Sequence, residues 1–332
     1  MDRDKLSSLD RRRFLQLSVA ASAAGDGLLS VAEATGEKAS KTERRVRRNE
    51  RPSMTYRRLG RTDFMCSRLI FGCGAALMGG KAVGLLEYAF EAGVNYFDTG
   101  RPYRDSESQL APFLKAHRDG VWITSKAAHM GWPSPRITPD QGKEAARLYT
   151  EQLEESLREL KTDYIDCYMI MGIDQVGFVR NEELYGAFLK AKQAGKVGYY
   201  GLSTHKNAQE ILEAAIEIGW YDIVMPAVTP AGWYDYATRK LAKNTGSLTQ
   251  LEPVLKRAHA AGIGLIAMKV GVMLREDPAV FDPFYSQVLK QAELSAYQRA
   301  YAYVLEHGFD AANSHMPDFE ILQANLKVVI PK

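Results

Sequence analysis

Asp98 and Tyr103 stand five residues apart in NYFDTGRPY, where a short apolar segment gives way to a Gly/Pro loop, and Lys126 closes a second apolar segment, VWITSK. A carboxylate, a phenol and an ammonium at strand ends form an acid–base set. A free phenol titrates near pH ~10, so it gives up its proton poorly at neutral pH. A neighbouring ammonium favours phenolate, and a carboxylate beside that ammonium keeps it charged and oriented. Such a phenol can protonate a carbonyl oxygen as hydride arrives at the carbon. Each residue alone has a plainer use, as a capping carboxylate, a packed loop aromatic or a solvated strand end. The expectation rests on the three acting together.

Something must bring those residues to one place. From about residue 53, short β-rich runs alternate with helical patterns. Strands are predicted near 68–72, 94–98, 121–125, 164–170, 197–202, 222–226, 263–268 and 308–312. Helical segments separate them: in YTEQLEESLRELK, Leu153, Leu157 and Leu160 share a face, and VGLLEYAFEAG, NEELYGAFLKAKQAG and AQEILEAAIEIG each close on glycine. Eight strand–helix units of this size fit an α/β (β/α)8 TIM barrel; a doubly wound open sheet is the competing arrangement. The barrel is preferred because the polar candidates fall at the ends of several different strands, which in a barrel converge on one face. FGCGAALMGG is glycine-rich but lacks the spacing of a dinucleotide fingerprint, and reads as a tight loop over the barrel mouth. Irregular excursions near 127–140 and 226–250 bring Trp132, Trp233 and Tyr236 as candidates to line a substrate cleft or cover its rim.

The formal charge of +3 is too small to argue for a nucleic-acid partner. Much of the excess lies in the first fifty residues, in Arg11–Arg13 and in Arg44, Arg45, Arg47 and Arg48. Cys66, Cys73 and Cys167 lie in or beside apolar segments without metal-ligand spacing, so buried thiols are expected and no metal site. The N-terminus, DRRRFLQLSVAASAAG, has a basic start and a moderately apolar run that Asp26 ends too soon for a membrane span. Ala32–Glu33–Ala34 offers the small residues of a cleavage site. The whole resembles a twin-arginine export signal, with Arg11 and Arg12 as the pair, Asp10 in place of the usual hydroxyl residue and Gln16 in place of the usual lysine. A disordered basic tail is the alternative. The resemblance implies residues 1–34 as signal, 35–52 as a charged linker and 53–332 as one barrel domain. It implies the export machinery as partner and an exported, periplasmic location, or a cytoplasmic one if the segment is no signal.

TYRRLGRTDFMCSRLIFG, FDTGRPYRDSESQL, LEESLRELKTDYIDCYMI and GKVGYYGLSTH resemble, in order, the opening segment, second strand, fourth strand and fifth strand of the aldo-keto reductase family. The resemblance places Asp98, Tyr103 and Lys126 in catalytic positions, with Gly100 where the family usually has alanine. It implies a nicotinamide-dependent oxidoreductase that interconverts small-molecule carbonyl compounds and alcohols, with NADP(H) favoured over NAD(H) by family habit. Ser203 would hold the nicotinamide carboxamide, and no metal is required.

The departures are specific. The family's catalytic histidine falls on Met171, which has no imidazole N–H to offer. Either Tyr103 acts alone, or His129 or His205 reaches in from a loop, or the pocket serves another use. Met268 stands where many members stack an aromatic ring on nicotinamide, and Met225 where an amide is usual. Lys269 is a candidate partner for a pyrophosphate or a substrate carboxylate. Asn313 and Ser314 are candidate donors to pyrophosphate, a helix starting near Pro317 or Asp318 would offer free N–H groups, and Asn325 matches the asparagine that contacts adenine. The family's arginine is missing near Ile321. A non-catalytic, nucleotide-binding barrel that senses or scaffolds is the alternative function, supported by the three methionines.

Overall fold

Eight short parallel strands close into a barrel because each is apolar on both faces, one turned to the barrel interior and the other to a surrounding helix. The computed structural model describes residues 45–128, 137–243 and 245–331. The strands are β1 (Leu69–Gly72), β2 (Tyr96–Asp98), β3 (Trp122–Ala127), β4 (Ile165–Ile170), β5 (Val197–Thr204), β6 (Ile223–Pro226), β7 (Gly264–Ala267) and β8 (Ala311–Ser314). Each pairs with its successor, and β8 pairs back to β1. The closed (β/α)8 barrel expected from the alternating pattern is therefore the fold, and the open sheet is excluded. Ile70, Tyr96, Met169, Met225 and Ile266 fill the interior and exclude a pore.

The helices carry local signals that explain their limits. α1 (Leu85–Glu91), α2 (Ser106–His117), α3 (Pro139–Leu160), α4 (Glu182–Gln193), α5 (Ala208–Ile218), α6 (Glu252–Ala260), α7 (Ala296–Glu306) and α8 (Phe319–Leu326) follow their strands in turn. Thr138 and Gln141 close a capping box at the start of α3, with Pro139 in its first turn. Leu153, Leu157 and Leu160 on its buried face pack toward the sheet, as their spacing implies. α5 stops at Gly219, whose φ of 73° suits a residue without Cβ.

Three boundaries differ from the sequence expectation. The last strand is Ala311–Ser314 rather than 308–312, because Gly308 (φ 104°) still belongs to the turn that leaves α7. The shift moves Asn313 and Ser314 from a loop onto a strand. The excursion after β6 folds as a small antiparallel sheet, Val228–Thr229, Gly232–Asp235 and Lys240–Leu241. The third difference concerns the presumed linker. Its described part is built into the barrel floor: Val46 bridges Phe64, and the Arg48 guanidinium donates to Asp166 Oδ1 at 2.8 Å and to the Val121 carbonyl at 2.7 Å. Asn49 donates to the Phe90 carbonyl. Arg48, read as linker charge, instead answers the buried carboxylate of Asp166 at the N-terminal end of β4. The described residues from Arg45 onward thus belong to one compact unit with the barrel. The expected signal, residues 1–34, lies outside the described residues. Among the described residues no helix is long and apolar enough to cross a membrane.

Asp166 is almost fully buried and also accepts from Arg118 and the Ile123 N–H, so these donors replace the water it has lost. Arg48→Ala removes one charged donor and should lower unfolding free energy by about 1–3 kcal/mol. Urea denaturation checks this; an unchanged midpoint would show residues 46–51 to be a passive tether.

Candidate active site

At the C-terminal mouth of the barrel the three residues singled out from sequence meet. Asp98 ends β2 and Lys126 lies on β3. Both are buried, with Lys126 2% and Asp98 3% exposed. Lys126 Nζ donates to Asp98 Oδ1 at 2.5 Å and to the Thr99 carbonyl at 2.7 Å. The ammonium also lies 5.7 Å from the centre of the Tyr103 ring. Burial works against a charged lysine, but Asp98 and then Tyr103 outweigh it, so Lys126 holds its proton above the ordinary lysine range.

The phenol departs from the simplest expectation. Burial pushes the Tyr103 pKa up; Lys126 pulls it down, while Asp98 and Tyr236 push it up again, and the net shift is upward. A lysine next to the ring does not produce a phenolate here, because burial, and after it the carboxylate that holds the lysine, disfavours one. Tyr103 is therefore a protonated phenol.

Small residues and a pinned loop hold the ring in place. A Cβ on Gly74 would come within 3.0 Å of Tyr103 Cε2. Gly74 lies on a short helix, Cys73–Leu77, in the stretch read as a mouth loop, and its role was not evident from glycine content alone. A Cβ at Gly100 would meet the same ring at 3.4 Å and Lys126 Cβ at 3.3 Å, so the family's usual alanine would fit only closely. The loop between β2 and α2 is anchored by Ser106, whose hydroxyl lies 2.9 Å from that of Thr99. Arg101 is paired with buried Glu107, which accepts from Ser125 at 2.6 Å.

Around this core the other candidates divide. Met171 follows β4, half-buried, and Ser203 on β5 accepts the Gly172 N–H at 3.2 Å, leaving its own hydroxyl hydrogen free to donate. His205 projects beside that same backbone: a Cβ at Gly172 would lie 3.6 Å from its Nδ1. Burial, then Lys269 and Lys126, depress its pKa to about 4, so the imidazole is neutral. Tyr236, 49% exposed, lies 5.6 Å from the His205 ring, and Lys269 Nζ lies 4.7 Å from the Tyr236 ring centre. Burial and the cations Arg275 and Lys126 lower the Lys269 pKa. Met225 and Met268 face the barrel interior.

Other assignments need correction. Trp233 is 2% exposed and its indole N–H is held by Gln209 at 2.8 Å, so it fastens the insertion to the barrel rather than presenting a face to the cleft. The Asn313 amide nitrogen contacts Asp98 and Met225 instead of pointing outward to a pyrophosphate. Ser314 is buried, and Asn325 donates to its hydroxyl at 2.8 Å, so that pair joins α8 to β8. The start of α8 is capped by Asp318, whose carboxylate accepts the Ile321 N–H at 2.8 Å, which opposes an anion there. His129 and Trp132 lie outside the described residues. No cluster of three potential metal ligands occurs among the described residues.

Sequence comparison assigns this parallel barrel to a family. The profile of the aldo/keto reductase family matches residues 71–272, more than half of the chain, and the chain belongs to that family. The oxidoreductase YqkF of Bacillus subtilis is 31% identical over 162 residues, covering 46% of this chain and 49% of its own. Aldo-keto reductase AFTS1 of Alternaria alternata is 31% identical over 185 residues, covering 45% and 49%. The chain thus spans about half the length of these curated relatives. Among solved structures, the holo form of aldo-keto reductase AKR11C1 from Bacillus halodurans superposes with a TM-score of 0.60 at 20% identity, over 83% of this chain and 90% of that one. An aldo-keto reductase from Klebsiella pneumoniae in complex with NADPH gives 0.62 at 17% identity, over 84% and 91%. At these identities the structures establish the fold.

The neutral His205 carries a pH signature. Its folded pKa of about 4 lies below the ordinary value of 6.5, so between these limits the unfolded chain binds more protons. Its contribution therefore falls as pH drops from 6.5 towards about 4 and is complete above that window. His205→Gln should lose less melting temperature than the wild type across this interval. Parallel Tm-versus-pH curves would remove the assignment.

Proposed function

We propose that this chain is a nicotinamide-dependent oxidoreductase that interconverts a carbonyl compound and its alcohol, with Tyr103 as the proton donor or acceptor. The observation that carries the reading is a buried ammonium, Lys126, joined to Asp98 and set beside a protonated phenol at the barrel mouth. When bound, the cofactor supplies or accepts hydride. The residues fit such a group. The Ser203 hydroxyl retains a hydrogen for a carboxamide, Met268 offers a polarisable face, and Lys269 with Arg275 sets positive charge where phosphates would run. NADPH is the preferred form on family habit alone; the capped start of α8 adds no cation that would select a further phosphate.

In reduction, the substrate oxygen accepts the Tyr103 proton, and Lys126 stabilises the phenolate left behind. Asp98 keeps that lysine charged and in place. In oxidation Tyr103 would return as the base. The neutral imidazole of His205 provides the N–H that Met171 lacks, orienting the carbonyl without competing for its proton. Residues 1–34 are proposed as the export signal that delivers the protein to the periplasm.

Tyr103→Phe should reduce kcat about 100-fold or more on a panel of aldehydes, quinones and keto sugars. The dissociation constant for NADPH, followed by fluorescence, should stay within about twofold. Equal losses in both would remove Tyr103 from the proton path. Replacing Arg11 and Arg12 together by lysine should retain the full-length chain in the cytoplasm, read by fractionation. Undiminished export of that variant would discard the signal.

A further inference from the structure

Asn313 makes a contact that neither hydride transfer nor cofactor binding explains. It lies on β8, and its amide nitrogen is 2.7 Å from Asp98 Oδ2 and 3.5 Å from Met225 Sδ. A carboxylate only accepts, so the amide nitrogen must face it and the orientation of the group is fixed by chemistry. Its two hydrogens therefore have an oxygen and a weakly accepting sulfur as partners. The amide oxygen points toward Gly72, where a Cβ would stand 2.7 Å away. Gly72 is in register with Asp98 on the adjacent strand. The missing side chain of one strand thus makes room for the amide of a second, which reaches the carboxylate of a third.

This contact completes Asp98. Its Oδ1 receives the Lys126 ammonium at 2.5 Å, and Oδ2 would otherwise be a buried acceptor without that donor. A carboxylate held by one oxygen can rotate about its terminal torsion; one held by both cannot without breaking a bond. We propose that Asn313 is a positioning residue for proton transfer: by donating to Asp98 Oδ2 it locks the carboxylate so that Oδ1 holds Lys126 beside the Tyr103 ring. The inference rests on the reading of Tyr103 as the proton donor. Asn313 acts through Asp98 and Lys126 and touches no reacting atom.

The test uses two replacements of similar size, Asn313→Leu and Asn313→Asp, in the full chain. Both should lower kcat, by about 10- to 100-fold for the loss of a hydrogen bond to a charged group. The dissociation constant for NADPH should remain within about twofold of wild type. In an Asp98→Asn background, Asn313→Leu should add less than about a twofold further loss, because its effect travels through that carboxylate. Full kcat in either single variant overturns the proposal, as does a loss confined to NADPH affinity or one that multiplies fully with Asp98→Asn.

A stability arm reads the contact without turnover. Asn313→Asp opposes two buried carboxylates and should lower the Tm at pH 7, and adding Asp98→Asn should restore it. A double variant no more stable than Asn313→Asp alone overturns the contact. If wild type binds NADPH but reduces nothing on the panel, the oxidoreductase reading fails and the positioning role with it, while the Tm values still decide whether the amide holds Asp98.

Discussion

A lysine and an aspartate, both almost wholly removed from water, face each other at the top of the barrel, and the site is arranged around keeping them there. Such a pair costs desolvation on both sides, and the mutual attraction offsets it only where the remaining lone pairs and protons are also satisfied. The barrel meets that demand through adjacency. β2 and β3 are hydrogen-bonded neighbours, so Asp98 and Lys126 need no long reach, and the Thr99 carbonyl takes a second hydrogen of the ammonium. β8 comes round to the other side because the sheet is closed, and brings Asn313. An open sheet would leave β8 remote from β2, and the carboxylate would lose that donor.

The pair constrains its surroundings through space as much as through charge. The Tyr103 ring has room above it because Gly74 has no side chain, and Gly100 leaves a narrow gap between ring and lysine stem. The lysine lowers the cost of a phenolate and the aspartate raises it, with burial on the aspartate's side. The phenol therefore keeps its proton. A surface Lys–Tyr pair would lack the burial that tips this balance.

How much of this was readable without coordinates follows from the range of each interaction. Strands, helices and the barrel were legible because they depend on local periodicity and on caps such as Thr138 and Gly219. Asp98, Tyr103 and Lys126 were legible because their short-range motifs recur in a family. The partners of polar side chains at the mouth were not. Asn313, Ser314 and Asn325 were all read as facing a nucleotide, whereas Asn313 meets a carboxylate brought by closure and the other two meet each other across β8 and α8. Trp233 was read as lining a cleft or covering its rim because the segment holding it was irregular, but Gln209 on α5 takes its indole N–H. Arg48 was read as linker for a related reason: a charge run looks solvated until the strand ends that need its donors are folded. Each of these choices is made by a partner many residues away.

The charge of the mouth ties His205 to whatever binds there. Lys126 is answered by Asp98, but the charges acting on Lys269 are Arg275 and Lys126, all of one sign, and Lys269 stacks on Tyr236. His205 lies in the same field, and burial and these lysines together keep its imidazole neutral. An anionic group arriving beside Lys269 would cancel part of that repulsion and make protonation of His205 easier. By linkage, protonating His205 would then strengthen the hold on the anion to the same degree. Neutral His205 offers one N–H and one acceptor nitrogen; protonated, it would offer two N–H groups. The positive mouth thus does two things at once: it provides for negative charge, and it keeps the imidazole neutral.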